Sequence, residues 1–173
     1  MGLHRSYTLA NDKSAIAESK RHAFWSLYTI DKNVSLNMGL TSHFPDHDID
    51  ADVITPSDDP RCRPWDLMSL VIVEFASIQG RVYDELYSAA ASKASDEQRW
   101  AAIDKLSSDL ITVRDKLLAV CSFFHASLFS ANPVVDRCQS RLLCGILAWH
   151  GCMRRFHCLL CVNRHLPGAD SPS

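Results

Sequence analysis

Glu18-Ser-Lys-Arg-His-Ala-Phe-Trp-Ser-Leu-Tyr-Thr-Ile-Asp31 is the stretch that decides the fold. A basic pair, Lys20-Arg21, opens onto Phe24, Trp25 and Tyr28, and Lys32-Asn-Val-Ser-Leu-Asn-Met-Gly39 carries the pattern on to a glycine. Phe24, Leu27, Val34 and Met38 fall at spacings of three or four residues, or multiples of them. That period predicts a helix from about Ser14 to Met38 with an apolar stripe, closed by Gly39 as its C-terminal cap. One acid, Asp31, sits on the apolar side. A buried carboxylate needs a cation or several donors, so the expectation is a buried Asp–Arg pair joining two helices, with Arg154, Arg155 and Arg164 as the arginines available.

Residues 40–64 follow as a long loop, broken by Pro45, Pro56, Pro60 and Pro64 and interleaved with acids. A structureless connection of this length is unusual in a compact domain. The loop is therefore either functional or pinned by its apolar residues Phe44, Ile49, Val53 and Ile54. A second helix begins near Pro64, a residue favoured in a first turn, and Val71, Phe75, Ile78, Val82 and Leu86 form its stripe. Gly80 lies inside it at a cost of about 1 kcal/mol relative to Ala, which points to a close helix–helix approach. Ser95-Asp-Glu-Gln98 fits a capping box. Behind it Ile103, Leu106, Leu110, Val113, Leu117, Val120, Phe124 and Leu128 alternate at three and four, until Asn132-Pro133 stops the helix. Matching stripes on neighbouring helices favour an antiparallel intramolecular bundle over a coiled-coil dimer. A fourth helix is expected over Val134 to Arg164. Leu142, Leu143, Ile146, Leu147, Trp149, Met153, Phe156, Leu159 and Leu160 make it apolar on most sides and call for burial. No period-2 strand of useful length occurs. The fold class is all-α: about four long helices and one long Pro/Asp-rich loop.

A chain of 173 residues can bury roughly 70% of its unfolded surface in one core. Its formal net charge of −2 provides no overall basic field for nucleic acid or an anionic membrane. Residues 33–60 hold six Asp and no Lys or Arg, whereas residues 133–173 hold five Arg and two Asp. These stretches can attract each other or face solvent separately. The most apolar window, Leu142 to Val162, contains adjacent Arg154 and Arg155 at mid-span, which lipid does not tolerate cheaply. Without a secretory pattern, seven cysteines read as free thiols in a reducing compartment.

Each candidate chemistry fails on a named position. Asp46, Asp48, Asp50 and Asp52 alternate like a calcium loop, but the glycine and the bidentate glutamate that an EF-hand needs are Ala51 and Ser57 in one register and Val53 and Asp59 in the other. A solvated acidic loop is the expectation. Asp58-Asp59 lacks the further acid of a helical diphosphate-binding motif, since position 62 is Cys, and it lies among prolines. Cys158-x-x-Cys161 has no partner pair for a tetrahedral zinc site, so the C-terminal cysteines read as small buried hydrophobes. Cys121 and His125 stand one turn apart with no orienting third group. No catalytic, cofactor-binding or metal-binding residue is assigned.

The chain resembles the fungal-specific transcription factor domain, the middle homology region of fungal zinc-cluster (Zn2Cys6) regulators. Met1-Gly-Leu-His-Arg5 is similar to the Leu-Gly-Leu-His-Arg that ends a helix in that family. Lys20 to Asp31 is similar to its basic run followed by aromatic-Trp-x-x-Tyr-x-x-Asp. Val34 to Gly39 looks like the stretch ending in the family's glycine. Pro45-Asp-His-Asp-Ile-Asp50 resembles its Asp-Ile-Asp loop, and Ile78 to Ser88 its Gln-Gly-x-Val-Tyr-x-x-Leu-Tyr-Ser segment. The Trp149-His150 and Leu159–His165 stretches resemble the family's later Tyr-His…Leu-Leu-x-x-Arg helix. The signature positions are Arg21, Phe24, Trp25, Tyr28, Asp31, Gly39, Asp48, Asp50, Gln79 and Tyr83.

The resemblance spans about residues 1–166, read as a partial regulatory domain, with 167–173 as a disordered tail. It implies a nuclear regulator of RNA polymerase II transcription whose middle region senses a small molecule, holds the activator inactive or mediates dimer contacts. The implied partners are a second copy or other transcriptional regulators, with no membrane. The family's six-cysteine pattern does not occur in this chain. The expectation is thus a fragment, truncated gene model or degenerate paralogue that holds no zinc and binds no specific DNA alone, with apolar surface left exposed or covered by a partner. The alternative is a stand-alone helical interaction or dimerisation module.

Overall fold

The computed structural model describes residues 2–10, 12 and 16–128, and residues 123–128 only in their backbone. The expected fourth helix over 134–164, its cysteines and arginines, the Asn132-Pro133 stop and the 167–173 tail lie outside the described residues, as does the His125 side chain. Among the described residues there is no strand. A short α1 (Ser6–Ala10) precedes three long helices, α2 (Ala17–Met38), α3 (Arg63–Val82) and α4 (Asp96–Leu128). Short 3-10 turns sit at Asp46–Asp48 and Ala91–Lys93, and α3 widens into a π-turn at Tyr83–Tyr87.

α4 packs antiparallel on α3. Arg81 Nη1 reaches Asp109 at 2.6 Å, and Lys116 Nζ reaches Glu74 at 2.8 Å. Going up α3 therefore means going down α4. Between these charged edges lies the larger core, built from the two predicted stripes: Val71, Phe75, Ile78, Val82 and Leu86 against Ile103, Leu106, Leu110, Val113 and Leu117, all buried. The capping box of α4 forms as expected. The Gln98 amide donates to Ser95 Oγ at 3.2 Å, and the Ser95 amide donates to Gln98 Oε1 at 3.0 Å.

α2 lies on the other side of α3 and runs parallel to it. His22, near its start, faces Asp66 in the first turn of α3 at 3.8 Å, and Lys32, a few turns on, lies against Gly80 near the end of α3. Parallel neighbours cannot be joined by a tight turn. The connection must travel back the length of α2, about 33 Å for 22 residues. This is the physical reason for the long loop. It leaves Gly39, whose φ of 67° in the left-handed region lets the Gly39 and Leu40 amides cap the carbonyls of Leu36 and Ser35. It then passes Tyr28 at Asp46, Trp25 at Asp52, and the start of α3 at Ser57, whose amide donates to Asp66. Of its expected apolar pins, Ile54 is buried, Phe44 and Ile49 are partly buried, and Val53 points outward.

The apolar stripe expected for α2 is corrected. Leu27, Val34 and Met38 are 56%, 51% and 70% exposed. The buried face is Phe24, Trp25, Tyr28, Lys32 and Ser35, the same period rotated part-way round the helix. Aromatic burial and the polar contacts of Tyr28 and Lys32 outweigh three aliphatic side chains in choosing which side faces α3. Phe24 packs as expected; Leu27 does not.

Candidate functional site

Three of the expected signature residues, Phe24, Trp25 and Tyr28, come together in the core between α2, α3 and the returning loop. Phe24, Trp25 and Tyr28 follow one another on the inner face of α2 in edge-to-face contacts, with centroids 5.1 and 5.2 Å apart, and Phe44 of the loop meets Phe24 at 5.8 Å. Each such pair contributes about 0.5–1.5 kcal/mol beyond the area it buries. Ala51, Ile54, Val73 and Ala76 complete this second core. The polar ends of the rings are fastened to the loop. Trp25 Nε1 donates to the Asp52 carbonyl at 3.0 Å, and the Tyr28 hydroxyl donates to Asp46 Oδ1 at 2.8 Å.

Lys32 completes the cluster. It is 1% exposed, its Nζ lies 2.9 Å from the same Asp46 oxygen, and its ammonium stands 5.2 Å from the Tyr28 ring centre. A buried ammonium without a counter-charge is strongly disfavoured, so Asp46 in direct contact, with Asp84 nearby, permits Lys32 to be inside. Gly80 supplies the space. A Cβ there would come within 2.8 Å of Lys32 Nζ and 3.0 Å of its Cδ, which makes the expected close approach at Gly80 a side chain laid across a helix. Burial, then the Asp46 charge, holds the Tyr28 phenol far above its usual range. At neutral pH it is a fixed hydrogen-bond donor and not a base.

Asp31 is not in a buried pair with arginine among the described residues. The loop turns back onto it: Ser42 Oγ donates at 2.6 Å, the His43 amide at 3.0 Å, and His43 Nδ1 lies 2.9 Å away. Burial works against its ionisation, but the donors from Ser42 and His43 outweigh it and hold the carboxyl below the usual carboxylate range. The acidic loop is likewise not simply solvated. Asp48 pairs with Arg5 and lies 3.7 Å from His4. Asp50 accepts from the Ser6 amide and hydroxyl at 2.9 and 3.1 Å, and these donors, the amide first, lower its pKa. The loop ties the His4–Ser6 segment to the bundle.

The remaining signature residues have structural places. Arg21 pairs with Glu18, and its Nε is buried without a hydrogen-bond partner among the described residues. Gln79 is buried. Tyr83 begins the π-turn, and its hydroxyl accepts from Thr41 Oγ1 at 3.4 Å. Sequence reasoning missed Lys32, Asp46, Ser42, His43 and Ser6 as partners. The usable signal for Lys32 was its position one turn beyond Tyr28 together with a mid-helix glycine in the neighbouring helix. Among the described residues no group of three His, Cys, Asp or Glu side chains is placed to hold a metal ion, and no helix is long and apolar enough to cross a membrane.

Comparison with known proteins bears on this core. The family model described as "Fungal specific transcription factor domain" matches residues 1–121, which include α1 to α3, the loop and most of α4. An "ABC-transporter-regulating transcription factor" of Aspergillus fumigatus is 28% identical over 130 residues, covering 68% of this chain and 14% of the relative, and a protein of the same description from Aspergillus oryzae is 28% identical over 127 residues. "Transcriptional activator protein acu-15" of Neurospora crassa is 24% identical over 168 residues, covering 78% of this chain and 18% of the relative. The chain thus spans less than a fifth of the length of these relatives. No solved structure matches.

Proposed function

Because the chain belongs to the fungal-specific transcription factor domain family, we propose that it acts as a regulatory domain for RNA polymerase II transcription in the nucleus, modulating an activator without reading DNA itself. The observation that carries this is the family match over 1–121 falling on the part of the chain where the signature side chains fasten one another. Phe24, Trp25, Tyr28 and Asp31 hold the loop to α2, and Asp48 and Asp50 tie the Arg5–Ser6 segment to the loop. Such a cluster suits a module that presents surfaces to other regulators. The proposal assigns the chain no catalytic step and no zinc; the zinc cluster of the family belongs to a module with cysteine spacings that this sequence does not have.

Two measurements test the reading. In a gel-shift assay with random duplex libraries the isolated chain selects no sequence; nanomolar, sequence-specific binding would sink the proposal. Fused to a heterologous DNA-binding module in a fungal reporter strain, the chain changes reporter output, and the change weakens in the Asp46→Ala variant. Unchanged output from a stably expressed fusion would count against a regulatory role.

A further inference from the structure

Most hydroxyl groups of this chain already have partners. On the α-helices Ser26, Ser69, Thr112 and Ser122 donate back to carbonyls one turn before them. Outside the α-helices Thr41, Ser42, Ser57, Ser88, Ser92 and Ser95 each take part in a hydrogen bond. Thr55 is the exception there. It is exposed, and its hydroxyl makes no hydrogen bond among the described residues. It stands in residues 49–62, the non-helical stretch between the 3-10 turn at Asp46–Asp48 and α3. Pro56 follows it. Proline disfavours helical backbone at the residue before it and brings no amide N–H of its own. Of the seven prolines only Pro56 and Pro172 follow a threonine or serine, and Ser171-Pro172 lies outside the described residues.

We infer that Thr55 is a phosphorylation site, modified by a serine/threonine protein kinase of the proline-directed class. The transfer forms a bond from Thr55 Oγ1 to the γ-phosphorus of ATP and breaks the bond from that phosphorus to the β–γ bridging oxygen. ADP leaves, and the hydroxyl proton passes to the kinase's catalytic carboxylate. Such a transfer depends chiefly on positioning. It needs a hydroxyl that is reachable, unbonded and carried on backbone that fits an extended cleft. A hydroxyl turned back onto a helix carbonyl offers none of these; Thr55 offers all three. An apolar cleft that takes proline beside the acceptor gives no partner to an amide at that position, so a residue other than proline would bury an unpaired N–H there. Val53 and Asp58 on either side are exposed, whereas Ile54 is buried and the Ser57 amide donates to Asp66 at 2.9 Å. Seating the segment in a kinase therefore requires these two ties to open locally, a motion that loops make at low cost. The added phosphate, about −1.5 to −2 in charge at pH 7, enters a stretch, residues 33–60, that holds six Asp and no Lys or Arg. The inference does not rest on the transcriptional reading.

The test treats the full folded chain with ATP and a proline-directed kinase, and in parallel with an acid-directed kinase, because Asp58 stands three residues beyond Thr55. With the first kinase, peptide mapping by mass spectrometry is expected to place phosphate on Thr55, and Thr55→Ser to keep the site. Pro56→Ala should slow transfer to Thr55 by about 10-fold or more, the cost of an amide left unpaired in the cleft. Thr55→Ala, a substitution at an exposed position, should leave the helical circular-dichroism signal intact and remove this phosphate, so that any remaining on a proline-flanked residue maps to Ser171. No phosphate on Thr55 of the folded chain, or phosphate there only after unfolding in urea, would overturn the inference. Modification by the acid-directed kinase alone, or a rate at Thr55 that Pro56→Ala leaves unchanged, would overturn the assignment to the proline-directed class.

Discussion

The two sides of α3 are built on different principles. Toward α4 the interface is an antiparallel seam of aliphatic side chains with ion pairs along its edges. Toward α2 the helices are parallel, and the core is aromatic, roofed by a loop and pinned by buried Lys32 paired with a partly exposed Asp46, a Tyr28 hydroxyl and a Trp25 indole. The first kind of interface follows from local period and short connections. The second needs a long return path, and the chain meets that need with directional polar bonds from the loop back to the helix. Asp46 fastens the loop to the parallel helix pair, while Asp48 and Asp50 fasten the Arg5–Ser6 segment to the loop.

If this contrast is right, the seam fails by losing volume and the clamp by losing a charge. Leu106 is fully buried. Leu106→Ala should have the largest effect, about 3–4 kcal/mol from lost transfer energy and a cavity, read as a lower denaturant midpoint. Asp46→Ala should come next, at about 2–3 kcal/mol. Lys32 is then left buried without its direct ion-pair partner, although Asp84 stays nearby as a second acid and water reaches the partly exposed Asp46 carboxylate, both of which lessen the penalty. Adding Lys32→Met to Asp46→Ala should recover much of that loss, because the stranded charge is gone. A cost below about 0.5 kcal/mol for Asp46→Ala, typical of a surface substitution, would break the comparison and leave aromatic burial as the sole fastener of the loop.

Legibility in the sequence divides along the same line. The α3 and α4 stripes, the Pro64 start, the Gly39 cap and the Ser95–Gln98 box each depend on residues within a turn or two of one another, so period and position reveal them. The facing of α2 does not. Leu27, Val34 and Met38 and the set Phe24, Trp25, Tyr28 and Lys32 fit a helical period equally well, and the choice between them is made by Asp46, Asp52 and Gly80, far away in sequence. The partners of Asp31 were hidden for a related reason. A carboxylate on an apolar face needs donors, and one hydroxyl and one backbone amide eleven and twelve residues on supply two of them, while the arginines expected there lie outside the described residues.

Gly80 sharpens the comparison through a change of sign. Gly80→Ala should gain up to about 1 kcal/mol of helix propensity, but the new Cβ would sit 2.8–3.1 Å from three Lys32 atoms, and overpacking typically costs 1–3 kcal/mol. The net expectation in the native background is a loss of about 1 kcal/mol. In a Lys32→Ala background the obstruction is removed and the same substitution should stabilise. Thermal or urea unfolding of the four proteins gives the coupling directly. Equal effects in both backgrounds would mean that Lys32 moves aside freely and that Gly80 is not there to seat it.

The smallest expected effect asks whether seam and clamp open together. Ser95→Ala removes the hydroxyl that accepts from the Gln98 amide, at a cost of about 1 kcal/mol. Ser95 is exposed and makes no hydrogen bond to α2, whose residue Leu36 packs against the α3–α4 core. A consequence for the aromatic end of α2, at Phe24 to Tyr28, is therefore expected to pass through the global unfolding equilibrium. Amide exchange separates the cases. The first turn of α4 should lose protection locally. If the bundle is one cooperative unit, the slowest amides of α3 and of α2 should both exchange about 5-fold faster, the factor that corresponds to 1 kcal/mol. Acceleration in α3 and α4 with α2 unchanged would show that the polar clamp carries its own stability. The parallel helix pair and its loop would then be a separate folding unit, held by Lys32 and Asp46 and not by the seam beside it.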